Sequence, residues 1–131
     1  MKIILAEDDY VTRVLLETMV KKLGFEVYSC NDGREAYNII MCNHQHFDIV
    51  LTDIMMPNMS GIELSYKIKK QFGLTIPMIA ITAYDKELFK PELVRHFDDW
   101  IIKPIKADNF YKVINKYKNR GSHDTLKFVN S

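Results

Sequence analysis

The side chains of this sequence that suit joint chemistry are three acids, a hydroxyl and an amine that lie far apart along the chain. Each stands at or just after the end of a short apolar segment: Glu7, Asp8, Asp53, Thr82 and Lys103. Carboxylates crowded into one crevice repel one another unless a cation neutralises them. Oxygen ligands alone favour Mg²⁺ over Zn²⁺, for which Cys or His would be expected. A lysine and a hydroxyl in the same crevice would hold phosphoryl oxygens by charge and by hydrogen bond.

These residues can meet only if the apolar segments before them are neighbouring strands of one sheet. The sequence alternates short apolar segments with stretches of helical spacing, which predicts five strands and five helices. The predicted strands cover residues 2–6, 25–30, 47–52, 76–82 and 100–103. Such alternation is typical of an α/β protein in which helices cover both faces of a parallel sheet. Ligands of these sheets bind beyond the carboxyl ends of the strands, where the five residues named above stand.

Local signals place the ends of several predicted helices. Asp9 is expected to cap the first helix rather than to contact a metal, and Ser60 opens the third with capping-box spacing. Pro91 fits only the first turn of a helix, so the regular part of the fourth helix is expected to begin near residues 90–92. The inner face of the first helix is assigned to Val11, Leu15, Met19, Val20 and Leu23, and that of the third to Ile62, Leu64, Ile68 and Phe72.

The composition fits one globular domain and excludes several functional classes. Eighteen Lys and Arg against 17 Asp and Glu leave a formal charge of +1, so no basic field is available for direct nucleic-acid binding. Acids interrupt the first apolar segment too early for a signal peptide or a membrane span, which favours a cytoplasmic protein without membrane contact. Cys30 and Cys42 are expected to be reduced thiols. His44 and His46, close to Cys42, are interpreted as a solvated loop rather than a metal site.

Residues 1–118 resemble the receiver domain of response regulators, the CheY-like superfamily of two-component signal transduction. The resemblance rests on these elements in their family order: Glu7-Asp8, Asp53, the segment 56–61, Thr82-Ala83 and Lys103-Pro104. It implies a flavodoxin-like doubly wound (βα)5 fold of three layers, with a five-stranded parallel sheet of order 2-1-3-4-5. It also implies a cis peptide before Pro104. Residues 119–131 show no sustained pattern and are left as a C-terminal tail or a linker stub.

The resemblance implies a role for each candidate site residue. Asp53 would accept a phosphoryl group from a histidine kinase or a histidine phosphotransfer protein, and Lys103 would pair with the phosphate. The implied ligands of Mg²⁺ are Glu7, Asp8, Asp53 and the backbone carbonyl of Met55. The implied switch residues are Thr82 and Trp100, although a packed core aromatic remains the alternative for Trp100.

The function that the resemblance implies is a phosphoacceptor switch in a phosphorelay, not an enzyme. A change in the surface of the fourth helix, fifth strand and fifth helix would alter binding of a downstream protein effector. A homodimer formed on phosphorylation is left open. The alternatives are a receiver excised from a hybrid histidine kinase or a multidomain regulator, and a constitutive docking module. An aspartate-nucleophile phosphohydrolase is disfavoured because Glu7-Asp8-Asp9 does not provide its Asp-x-Asp pattern on the first strand.

Overall fold

The computed structural model describes residues 1–43, 46–71 and 73–130, with the side chains of residues 43 and 119–130 left out of the description. The strands are β1 (Lys2–Ala6), β2 (Glu26–Cys30), β3 (Ile49–Thr52), β4 (Met78–Thr82) and β5 (Asp99–Ile102). The helices are α1 (Tyr10–Lys22), α2 (Gly33–Asn43), α3 (Gly61–Ser65), α4 (Pro91–Val94) and α5 (Ala107–Asn130). A π-helical segment (Tyr66–Gln71) continues α3, and a 3₁₀ turn (Lys86–Leu88) precedes α4. His44 and Phe72 lie outside the described residues.

The five strands form one parallel sheet in the order β2-β1-β3-β4-β5, as expected. Ala6 pairs with Thr52, so β1 ends level with β3, and Thr82 pairs with Ile102, so β4 ends level with β5. The residues that follow them therefore emerge at one edge of the sheet. This register is what brings distant parts of the sequence to a common site.

Alternating side chains of the strands build two cores, one on each face of the sheet. On β1, Ile4 and Ala6 pack with α2, α3 and α4, whereas Ile3 and Leu5 pack with α1 and α5. Successive residues of a strand point to opposite faces, so a strand buried on both sides is apolar throughout. The result is the three-layer arrangement that the alternation of strands and helices predicts.

The assignment of an inner face to α1 is partly wrong. Val11 is 74% exposed and Leu15 is 43% exposed, whereas the buried residues are Leu16, Met19 and Val20. Apolar residues cover more than half the circumference of α1, so helical spacing alone does not decide which of them face the sheet. The face opposite the core consequently presents apolar side chains to solvent.

Local signals mark the ends of several elements, and the predicted place of Pro91 is confirmed. Gly24 has a φ of 81° just after α1, a conformation that glycine adopts without strain. Pro91 is the first residue of α4, and the Lys103-Pro104 peptide is cis. The α5 backbone continues as helix to Asn130, past the point where the sequence pattern ends. The pattern reflects burial, and the last buried apolar residue described on α5 is Tyr117.

The two cysteines lie apart in different surroundings. Cys30 is buried and Cys42 is exposed, and neither forms a disulfide. Burial, with smaller contributions from Glu35 and Asp32, raises the pKa of Cys30 to about 12. A thiol with so high a pKa stays protonated and is a poor nucleophile at neutral pH. Within the described residues, no helix combines the length and the apolar character needed to cross a membrane.

Candidate functional site

Backbone hydrogen bonds continue the sheet for one residue beyond the strand ends. Asp53 N–H donates to the carbonyl of Ala6 at 3.0 Å, and Lys103 N–H donates to the carbonyl of Thr82 at 2.8 Å. Glu7 N–H donates to the carbonyl of Cys30 at 3.1 Å. The positions of Glu7, Asp53 and Lys103 are therefore fixed by the sheet itself rather than by mobile loops.

The predicted acids and the predicted lysine meet at this edge. Lys103 Nζ lies 2.8 Å from Glu7 Oε1 and 2.8 Å from Asp53 Oδ2. Glu7 is 1% exposed and Asp53 is 8% exposed, whereas Asp8 lies at the surface. One carboxylate oxygen from each of Glu7, Asp8 and Asp53 lies within 4.8 Å of the others. The structure thus brings together four of the sequence-predicted site residues.

The two oxygens of Asp53 have different surroundings. Oδ2 accepts from Lys103, while Oδ1 accepts from the N–H groups of Ile54 at 2.6 Å and Met55 at 3.3 Å. These backbone donors could not be predicted from the sequence, because any residue supplies an N–H and no side-chain pattern marks them. Together these donors fix the orientation of the Asp53 carboxylate.

The buried side chain of Glu7 lies in surroundings that disfavour its charged form. Burial and the nearby charge of Asp53 raise the pKa of Glu7, against the opposing effects of Lys103 and the N–H of Asp9. Its Oε1 is within ion-pair distance of Lys103 but has no well-aligned hydrogen-bond donor among the described residues. Burial also acts to lower the pKa of Lys103, but its interactions with the carboxylates of Asp53 and Glu7 outweigh burial, and the pKa is raised. Lys103 is therefore protonated at neutral pH.

This donor set fits a hard divalent cation such as Mg²⁺. Three carboxylates and one ammonium leave the cluster negatively charged, and all the available ligand atoms are oxygens. The buried Glu7 Oε1 without a hydrogen bond is an acceptor that a cation would satisfy. The exposed position of Asp8 keeps one side open to water, and Mg²⁺ commonly retains several water ligands.

In the metal-free protein, Glu7→Gln is expected to unfold at a temperature a few degrees above wild type at neutral pH. A carboxyl whose folded pKa is raised takes up a proton on folding, so wild-type stability falls as the pH rises above 4.5, the ordinary value for Glu. The stability advantage of the glutamine variant should therefore shrink on acidification. Thermal unfolding in a chelator between pH 4.5 and neutral pH measures the difference in unfolding temperature between the variant and the wild type. The exposed Glu87→Gln is the control. A difference in unfolding temperature that does not depend on pH would contradict a raised pKa for Glu7.

The loop between β3 and α3 is held tightly against the sheet edge. A Cβ on Gly61 would stand 2.1 Å from the carbonyl oxygen of Asp53, so only glycine permits this approach. Gly33 N–H donates to the carbonyl of Met59 at 3.1 Å, and Asn58, with a φ of 66°, donates to Asp32 at 2.6 Å. The start of α2 thereby anchors the loop that carries Met55.

Thr82 and Trp100 lie outside the carboxylate–lysine cluster but share a contact with Tyr84. Thr82 is buried at the end of β4, and its Oγ1 accepts from Tyr84 N–H at 3.4 Å. The indole Nε1 of Trp100 donates to the carbonyl of Tyr84 at 2.9 Å. The Trp100 ring packs against Phe89 and Phe97, with centroids 5.7 and 5.8 Å away. Trp100 is thus a packed aromatic that also bonds to the segment following Thr82.

The start of α1 borders the site. Asp9 Oδ2 accepts from Thr12 N–H at 2.9 Å, which confirms the predicted cap. Arg13, on the first turn of α1, donates from Nη1 to the carbonyl of Glu7 at 2.9 Å. Arg13 was not among the predicted site residues, because its partner is a backbone carbonyl that no sequence pattern marks.

The structure is that of a parallel α/β protein with a cluster of acids and a lysine at the carboxyl edge of its sheet. Comparison with known proteins identifies the family to which it belongs. The chain belongs to the response regulator receiver domain family, whose model matches residues 3–115. It is 35% identical to the sensor histidine kinase RcsC of Escherichia coli over 121 residues, which are 92% of this chain and 12% of RcsC. The chain thus spans about an eighth of that relative.

Solved structures of receiver domains share the fold. The receiver domain of the Francisella response regulator 1452 has a TM-score of 0.80 at 29% identity, over 91% of this chain and 97% of that one. The receiver domain of the sensor histidine kinase PA1611 from Pseudomonas aeruginosa has a TM-score of 0.75 at 26% identity, over 88% and 95%. The PA1611 structure holds a magnesium ion coordinated in its active-site cleft. The family consists of regulatory modules of two-component signalling rather than enzymes in the usual sense.

Proposed function

We propose that the protein is a phosphoacceptor switch of a cytoplasmic two-component phosphorelay, phosphorylated on Asp53 in the presence of Mg²⁺. The observation that carries the proposal is the cluster of three carboxylates, from Glu7, Asp8 and Asp53, in which Glu7 and Asp53 pair with one ammonium, Lys103. A receiver that served only for docking would not need three acids and a lysine so close together. Bound Mg²⁺ would be held by these three acids and the carbonyl of Met55, and would neutralise charge on the phosphoryl oxygens.

In the proposed reaction, an Asp53 carboxylate oxygen attacks the phosphorus of a phosphohistidine. The new O–P bond forms as the P–N bond breaks, and the electron pair returns to the imidazole nitrogen, which takes up a proton from water. Lys103 contacts Asp53 Oδ2 and is placed to pair with the transferred group, whose negative charge spreads over its oxygens. The protein thereby assists its own phosphorylation.

The direct test is the intact mass of the protein after incubation with a small-molecule phosphodonor. We expect one phosphoryl increment in Mg²⁺ and none in excess chelator, because the transferring group needs a cation in addition to Lys103. Adding Mg²⁺ back should restore the increment. A folded protein that gains no increment in Mg²⁺, from the small donor or from a phosphorylated histidine kinase, would instead support the docking-module alternative.

The surface beside the site favours a protein as the phosphoryl donor. α1 begins next to the acids and exposes Val11, Val14 and Leu15 on one face. A groove of about 310 Å³, lined in part by Asp8 and Met55, opens beside this helix start. An exposed apolar patch next to a reactive group is typical of a protein interaction site. We therefore assign this face to the histidine-bearing donor, a kinase or a phosphotransfer protein.

The double variant Val11→Ser, Leu15→Ser is expected to slow transfer from a phosphorylated histidine protein about tenfold. Loss of roughly 1.4 kcal/mol of apolar contact corresponds to that factor. Both side chains are exposed, so folding should not change. The kcat/KM for transfer is the measurement, and the rate with a small phosphodonor should stay at the wild-type value. The exposed Leu88→Ser serves as control. Equal loss with both donors would place the defect in the site instead.

Phosphorylation is expected to change the fluorescence of Trp100, the only tryptophan in the chain. If Thr82 turns towards a phosphate on Asp53, its bond with Tyr84 N–H is lost, and Tyr84 also accepts from the Trp100 indole. The emission maximum should shift on adding a phosphodonor and Mg²⁺, and the shift should be lost in Thr82→Ala. Unchanged emission from a fully phosphorylated sample would favour the role of a fixed core aromatic.

The output face in this proposal is formed by α4, β5 and α5, and it would bind a protein effector or a second copy of the chain. Leu88, Leu93 and Ile102 are exposed apolar residues in or near this face. The role of residues 119–131 as a tail or linker stub stays a prediction. The proposal holds equally for a separate regulator and for a receiver within a hybrid histidine kinase, and the similarity to 12% of the sensor histidine kinase RcsC supports a receiver that is part of a longer kinase.

A further inference from the structure

We infer that Arg13 is a positioning residue that fixes the metal-binding acids by holding the Glu7 carbonyl. The inference rests on the proposed Mg²⁺ site and assigns a role to a residue outside the ligand set. Arg13 Nη1 donates to that carbonyl at 2.9 Å, and the guanidinium lies 5.6 Å from the centre of the Tyr10 ring. The contact joins the first turn of α1 to the residue that follows β1.

The Glu7 carbonyl is the first main-chain acceptor beyond the sheet. The preceding carbonyl, of Ala6, accepts from Asp53 N–H, and Glu7 N–H donates to Cys30. For the Glu7 carbonyl itself, Arg13 is the partner that the described part of the chain provides. An unpaired carbonyl would let the peptide between Glu7 and Asp8 rotate, because no strand constrains it from this point on.

The neighbouring contacts show how the peptide between Glu7 and Asp8 affects the positions of the acids. Asp9 N–H donates to Glu7 Oε2 at 3.2 Å, and the Asp9 side chain caps α1. Asp8 therefore lies between two fixed residues, but its own carboxylate is exposed. Its distance from Glu7 and Asp53 depends on the orientation of the main chain at residues 7–9. Arg13 fixes one end of this short segment and the cap fixes the other.

Positioning and simple electrostatics predict opposite effects of removing Arg13. A positive charge beside a cation site repels the cation, so charge removal alone would tighten Mg²⁺ binding. Loss of a group that holds metal ligands in place weakens metal binding, typically by 10- to 100-fold. The sign of the change in the Mg²⁺ dissociation constant therefore distinguishes the two.

The experiment is a calorimetric titration of Mg²⁺ into wild type, Arg13→Met and Arg13→Lys, with no phosphodonor present. We expect the methionine variant, which keeps the aliphatic stem, to bind Mg²⁺ about tenfold more weakly. The lysine variant should stay within about threefold of wild type, since an ammonium can donate to the same carbonyl. Arg95→Met, which removes an exposed arginine that follows the C-terminal end of α4, should bind Mg²⁺ as the wild type does.

Equal or tighter binding by Arg13→Met would overturn the inference while leaving the Mg²⁺ site intact. Absence of Mg²⁺ binding by the wild type would overturn the proposed site and the inference with it. Thermal unfolding in chelator shows whether each variant is folded at the titration temperature. If the methionine variant does not fold, Arg13→Gln, which is too short to reach the carbonyl, gives the same test of sign.

Discussion

Replacing Asp53 with asparagine is expected to abolish phosphorylation by small donors and by a histidine kinase alike. The amide keeps the size of the side chain and an oxygen for the N–H groups of Ile54 and Met55, but it is not a nucleophile. It also removes one charge from a crowded cluster, so the variant should fold. Intact mass after incubation with donor and Mg²⁺ is the measurement.

The matched control for this change is Asp85→Asn, because Asp85 is an exposed acid whose side chain makes no capping hydrogen bond. It should gain one phosphoryl increment at the wild-type rate. A phosphoryl group found on the Asp53 variant at wild-type yield would move the acceptor to another residue. Peptide mapping of the modified protein would then identify that residue.

The positions of the site residues could be predicted because parallel strands force them. Once β1 and β3 are neighbours in register, Glu7 and Asp53 must emerge side by side. The apolar character of both strands and the acids that end them are visible in the sequence. The order of the strands was implied by the resemblance to receiver domains rather than by the pattern, which specifies only alternation.

The parts of the site that escaped prediction involve backbone groups and competing apolar faces. The donors to Asp53 Oδ1 and the acceptor of Arg13 are main-chain atoms, which every residue has. The hydrogen bond from the Trp100 indole is likewise accepted by a main-chain atom, the carbonyl oxygen of Tyr84. On α1, Val11 and Leu15 have helical spacing with Met19, yet the sheet buries Leu16 instead. Sequence patterns identify which side chains are apolar, but tertiary packing selects the face.

Replacing Lys103 with methionine is expected to slow phosphorylation by about 100- to 1,000-fold, the typical loss when one preorganised charge-stabilising donor is removed. The ammonium lies 2.8 Å from both Glu7 and Asp53, so it stands where negative charge is concentrated before and during transfer. Methionine has a similar length and no charge. The initial rate of phosphoryl incorporation at saturating Mg²⁺ is the measurement.

Lys116→Met is the matched control, since the Lys116 side chain is 55% exposed and pairs with Asp99 at the start of β5, not with the acids of the site. Its rate should equal that of wild type. Lys103→Arg keeps the charge in a wider group and should retain part of the activity. A Lys103→Met protein that is folded and phosphorylated at the wild-type rate would show that Mg²⁺ alone neutralises the transferring group. Lys103 would then act on the buried carboxylates of the metal-free protein, where its charge opposes the effect of burial on the pKa of Glu7.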